Sequence, residues 1–140
     1  MELRFADWTL RAACLGKPTD NWFPEVNSLS RRTKAAIAVE NRSKRTCALC
    51  PVREECLTDA VKRGEEFGIW GGTTPGDRRS VAHNVQCQPG TRANPNTCTG
   101  CRPVGEQVDI LLRRATVDAI NRGLVATREV DADEFFGLGA

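Results

Sequence analysis

Cys47-Ala48-Leu49-Cys50-Pro51-Val52-Arg53-Glu54-Glu55-Cys56 sets three cysteines at C-x2-C-x5-C spacing across the entry to a helix. Pro51 suits the first position of that helix, because proline's fixed φ and missing N–H are tolerated there. Val52, Cys56 and Ala60 recur at i, i+4 with Leu57 and Val61 beside them, so Cys56 is expected to face inward, and Gly64 is placed to end the helix. Soft thiolates suit zinc and iron–sulfur clusters alike, so ligand type does not choose the metal. A C-x2-C pair alone leaves zinc, disulfide exchange and cluster binding open. Zinc sites tend to pair two short-spaced hairpins, whereas three close cysteines and one distant one lean towards a cluster.

Cysteine matters because the rest of the composition promises little core. The chain has 140 residues, of which only 6% are aromatic and none is Tyr, enough for one small domain with an appendage. Seven cysteines supply the staples that thin domains need. Met1–Asp7 lacks the apolar run of a signal peptide, and no stretch approaches the roughly 18 apolar residues of a membrane span, so a cytoplasmic chain without membrane contact is expected. Thiols there stay reduced, which favours metal ligands or redox groups over structural disulfides. A net charge of +2 does not mark a nucleic-acid binder. The basic clusters Arg31, Arg32, Lys34 and Arg42, Lys44, Arg45 read as solvated helix faces.

Outward from the cysteines, the pattern predicts a mostly α protein. Asp7 can cap a helix from Trp8 to about Leu15, with Cys14 in its last turn and Gly16 and Pro18 ending it. A second helix begins near Ser30, with Ala35, Ala36, Ala38 and Val39 as its apolar side. Gly68-Ile69-Trp70-Gly71-Gly72 reads as a tight turn, and Pro75 to about Asn84 as a helix. Residues 86–103 read as loop. Val104, Val108, Leu111, Leu112, Ala115 and Ala119 mark a longer amphipathic helix that Gly123 stops. An acidic tail over 129–140 closes the chain.

Asp7-Trp8, Cys14, Trp22-Phe23-Pro24, Cys47-x2-Cys50-Pro51-x4-Cys56 and Gly68-Ile69-Trp70-Gly71-Gly72, in this order and spacing, resemble the WhiB-like family of iron–sulfur transcription regulators over roughly residues 7–80. The resemblance implies a small bundle of short helices organised around a [4Fe–4S] cluster held by Cys14, Cys47, Cys50 and Cys56. It implies a redox- or gas-responsive regulator, not an enzyme, that binds the C-terminal region of the primary sigma factor within RNA polymerase holoenzyme. Loss of the cluster to an oxidant would leave Cys47 and Cys50 near enough in sequence for a disulfide bond. Trp22, Phe23, Gly68, Trp70, Gly71 and Gly72 match positions that contribute to the sigma-factor surface, although Trp70 taken alone reads as a core residue. Trp8 either joins that surface or shields the cluster. Arg78 and Arg79 either contact sigma factor or promoter phosphates or are simply solvated. The strongly basic C-terminal tail that many relatives use for DNA is absent, so promoter DNA is expected to be bound only weakly by this chain alone.

His83, Cys87, Cys98 and Cys101 form H-x3-C-x10-C-x2-C, which fits a tetrahedral zinc site for one Zn2+. The expected division is therefore a WhiB-like iron–sulfur domain over 1–80, a zinc-binding loop over 81–103, a helix over 104–128 and the tail. Two competing readings are a thiol–disulfide reductase using Cys47 and Cys50, and a structural zinc adaptor. The first lacks the βαβ pattern that accompanies such enzymes.

Overall fold

The computed structural model describes residues 7–23, 33–82 and 102–130. Among them are four α-helices and no strand: α1 (Lys34–Ala48), α2 (Arg53–Arg63), α3 (Pro75–Ala82) and α4 (Val104–Asn121). Short 3-10 turns span Asp7–Arg11, Thr19–Trp22 and Thr127–Glu129. The mostly α expectation stands. None of the described helices is long and apolar enough to cross a membrane.

Local chemistry sets the helix ends. The Thr33 hydroxyl accepts from Ala36 N–H at 3.1 Å and starts α1 later than Ser30. Cys50-Pro51-Val52 forms a turn, so α2 begins at Arg53 rather than at Pro51. Gly64 adopts φ +62° and ends α2, its left-handed conformation letting Glu65 N–H reach back to the Ala60 carbonyl at 2.9 Å. Thr74 and Asp77 exchange side-chain and backbone hydrogen bonds of 2.9 and 3.1 Å at the start of α3. The helix expected from Trp8 to Leu15 is corrected to a 3-10 turn ending at Arg11. Ala12, Leu15 and Lys17 donate to carbonyls three residues back, and Ala13 N–H turns away to the Cys50 sulfur.

α4 packs on α2 and α3 through Leu57, Val61, Val81, Val108, Leu111 and Leu112. Each such buried aliphatic side chain is worth about 1.5–3 kcal/mol. Its far end and the segment after it meet α1 through Ala48, Ala119, Val125 and Val130.

Between these patches the α1–α4 seam is polar, which corrects the expected apolar side of α1. Ala36 is buried, but Ala35 and Ala38 are exposed, and the inward face runs through Ser43, Lys44 and Cys47. Lys44 was expected in solvent. Instead its ammonium pairs with Asp118 at 3.1 Å, while Arg122 reaches Glu40 at 2.8 Å and Asp118 at 2.9 Å. Partial burial pushes the Asp118 carboxyl up, yet these two cations outweigh it and hold it below the ordinary carboxylate value. Arg31 and Arg32 lie outside the described residues.

Candidate metal centre

Four cysteines from separate segments line one cavity of about 350 Å3. Cys14 comes from the turn after the first 3-10 segment, Cys47 from the last turn of α1, Cys50 from the turn that follows and Cys56 from α2. All four are free thiols, with Cys14 exposed, Cys47 buried and the other two half-buried. Trp8, Trp22, Ile69 and Gly71 complete the wall. Among the described residues no three His, Cys, Asp or Glu side chains are grouped to chelate a single ion.

The cavity wall supplies donors to sulfur. Trp22 Nε1–H donates to Cys47 Sγ and the Ala13 N–H to Cys50 Sγ, each at 3.4 Å. Burial raises the Cys47 and Cys14 thiols above their ordinary value and pushes Cys56 up to about 12, with neighbouring cysteines adding to each shift. Unliganded, these groups hold their protons at neutral pH, so a metal that binds them displaces protons. Trp22 was expected on a partner surface. It is buried, packed with Cys47, Ile69 and Phe23, and belongs to the cavity.

The glycine turn packs close to α2. Trp70 and Thr73 exchange backbone hydrogen bonds of 3.0 Å each way around Gly71 (φ +59°) and Gly72 (φ +82°), two left-handed centres in succession. A Cβ on Gly71 would stand 2.8 Å from Leu57 Cβ, and one on Gly68 would stand 2.7 Å from the Phe23 ring, so neither position admits a side chain without displacement. Trp70 is half-buried: Phe23 meets its ring edge-on at 6.2 Å, the Arg63 guanidinium lies 4.9 Å from its centroid, and its Nε1–H donates to Phe67 O at 2.8 Å. Trp8 is half-buried at the cavity.

Arg78 does not reach outward as expected. It is buried, and its guanidinium donates to the carbonyls of Thr73 at 2.8 Å, Gly68 at 3.0 Å and Phe67 at 3.3 Å, clamping both arms of the turn to α3. Five donors in a fixed fork suit a cluster of carbonyls. Arg79 is exposed. His83, Cys87, Cys98 and Cys101 lie outside the described residues.

Residues 8–81 match the model of the transcription factor WhiB family. The chain belongs to this family. Transcriptional regulator WhiD of Streptomyces coelicolor is 41% identical over 76 residues, 54% of this chain and 64% of WhiD, so the chain spans less than two thirds of that relative's length. WhiB1 of Mycobacterium tuberculosis is 35% identical over 75 residues, 54% of this chain and 83% of its own length. Redox-responsive WhiB3 of Mycolicibacterium smegmatis is 36% identical over 73 residues, 51% of this chain and 72% of its own length. These are transcriptional regulators and the WhiB family is not a family of enzymes, which sets aside the thiol–disulfide reductase reading.

The WhiB match contains all four cavity cysteines and the glycine turn, but it ends before α4. Sequence reasoning missed Arg53, Thr116 and the clamping role of Arg78. One signal was available for Arg53: a cation in the first turn of a helix opposes the macrodipole and needs another reason to be there.

Proposed function

We propose that this chain is a redox- or gas-responsive transcription regulator that holds a [4Fe–4S] cluster on Cys14, Cys47, Cys50 and Cys56 and acts through the C-terminal region of the primary sigma factor. The observation that carries the reading is the cavity into which three separated segments of the family-matching region bring four thiols. An all-thiolate donor set of three close cysteines and one distant one, around a cavity of about 350 Å3, supports a multi-iron group over one zinc at this place. When bound, the cluster supplies reversible one-electron chemistry and sensitivity to oxidants. The chain's own residues do the rest. Trp22 Nε1–H and Ala13 N–H stabilise negative charge on the Cys47 and Cys50 sulfurs, and Trp8 and Ile69 limit water at the cavity.

Trp70 offers one ring face to a sigma-factor segment, with Phe23 and Arg63 fixing its orientation. Arg79 is placed to meet acidic groups or promoter phosphates in the holoenzyme complex. In this reading residues 1–80 form the iron–sulfur unit and α4, which ends at Asn121 rather than running to 128, its helical support. His83, Cys87, Cys98 and Cys101 hold one zinc, and the protein works in the cytoplasm beside the transcription machinery. Iron, sulfide and zinc analysis of anaerobically purified protein tests the metals. Serine in place of any of the four cavity cysteines should sharply lower iron, whereas serine at Cys87, Cys98 or Cys101 should lower zinc alone. Calorimetry of the iron-loaded chain with the sigma-factor region tests the partner: Trp70→Ala should weaken binding by about 2 kcal/mol with iron retained. No affinity in the unmodified loaded chain would sink the partner assignment.

A further inference from the structure

Arg53 is only 5% exposed although it carries a full charge at the first position of α2. Its Nε–H donates to Gly71 O at 3.1 Å, tying α2 to the glycine turn, and its Nη1–H donates to the Thr116 hydroxyl on α4 at 2.9 Å. Thr116 is fully buried. The space above the Gly72 α-carbon shows how closely the parts meet: a Cβ there would lie 3.5 Å from Cys47 Cβ, 3.6 Å from Arg53 Nη2 and 3.8 Å from Ala115 Cβ of α4. A cavity cysteine, a buried cation and α4 therefore border the same point. Burial works against the charge on Arg53, and the Cys47 and Cys50 thiolates favour it.

Building on the cluster reading, we propose that Arg53 is a positioning residue whose fixed buried charge sets the reduction potential of the cluster, and that α4 holds it there through Thr116. One-electron reduction adds a negative charge to the cluster and its thiolates. A cation behind two of those thiolates, inside a low-dielectric wall, stabilises the reduced form more than the oxidised form and raises the potential. Two bonds in different directions keep the guanidinium against the cavity wall, so its contribution does not average out. α4 lies beyond the WhiB match, and it thereby becomes part of the redox site rather than a passive support.

The test is a mediated spectroelectrochemical titration of the anaerobically loaded full chain, the electrode supplying the electron. Arg53→Gln keeps a donor for Gly71 O but removes the charge; the equilibrium constant for reduction should fall about tenfold, a shift of about 59 mV for a one-electron couple. Arg53→Lys should keep the potential near that of the unmodified chain despite losing the fork of hydrogen bonds. Thr116→Ala leaves the cation but frees it towards water, and should lower the potential by less. A merely structural role predicts the reverse pattern, with denaturation midpoints moving in all three variants and the potential in none. A loaded Arg53→Gln protein with unchanged potential overturns the proposal. If that variant retains no cluster, Thr116→Ala decides: a lowered potential supports the proposal and an unchanged one overturns it. Absence of iron and sulfide from the unmodified chain would overturn the cluster reading itself, and this inference with it.

Discussion

α2 touches two regions that are held together in opposite ways. Its later turns present Leu57 and Val61 to α3 and α4, where close-packed aliphatic side chains exclude water. Its beginning faces the thiol cavity, whose outer wall is the 7–23 segment. That segment folds in 3-10 turns, buries Trp22 alone, and leaves Leu10 at 67% and Leu15 at 63% exposure. Apolar area is the main source of stability in the first region. The second has few apolar contacts and relies on sulfur: the Ala13 and Trp22 donors, and four cysteines drawn from three segments. A chain with so few aromatic residues thus divides its contacts between an aliphatic core and a site that the proposed metal group would complete.

Stripping the cluster proposed for the cavity should break the comparison most visibly. Hydrogen exchange of the apo chain should show amides of residues 7–23 approaching unfolded-chain rates, with the turn at 68–73 also less protected, while α2 and α4 stay protected. Equal loss of protection in α4 would show that the two regions are a single cooperative unit. The complementary change is Leu111→Ala, which removes a side chain only 1% exposed from the apolar region and should cost about 3 kcal/mol in urea unfolding. Iron retention without denaturant should not change, and a parallel loss of iron would merge what the comparison separates.

Arg78 links the regions, since it sits on α3 but grips the glycine turn. Arg78→Ala should destabilise the fold by about 2 kcal/mol, because buried carbonyls lose their donors. Tryptophan fluorescence should report a loosened Trp70. A change confined to the salt dependence of partner binding, with no loss of stability, would return Arg78 to a surface role.

The smallest effect concerns pH in the apo state. Folding raises Cys56, on α2, from the ordinary thiol value of 9.0 to about 12 and raises Cys47, on α1, too, so the folded chain binds protons that the unfolded chain releases. This contribution is fully present below about pH 9 and is lost as pH rises towards 12. Between pH 8 and pH 10 the apo fold should lose on the order of 1 kcal/mol, and Cys56→Ala should reduce that loss. An identical pH slope in the variant would show that the buried thiol is not its source.

Much of this was legible in the sequence. The C-x2-C-x5-C spacing, the glycine pair of the turn and the spacing of Val108, Leu111, Leu112 and Ala119 each follow local rules of backbone geometry or helical period, so α2, the turn and α4 could be read directly. Gly64 and Gly123 mark ends that the structure gives them, both at positive φ. The tertiary structure decided where polar groups go. Lys44 and Arg78 look like any other surface cation in a string of letters, and Arg53 is marked only by its place at a helix start, yet each is buried because folding brings it a partner: a carboxylate of α4 for Lys44, a hydroxyl of α4 for Arg53 and the carbonyls of the glycine turn for Arg78. The same holds for Trp22, whose N–H finds the sulfur of Cys47. Burying a charge or an N–H is tolerable only when its partner is in place, and partners brought together by folding leave no trace in the spacing along the chain.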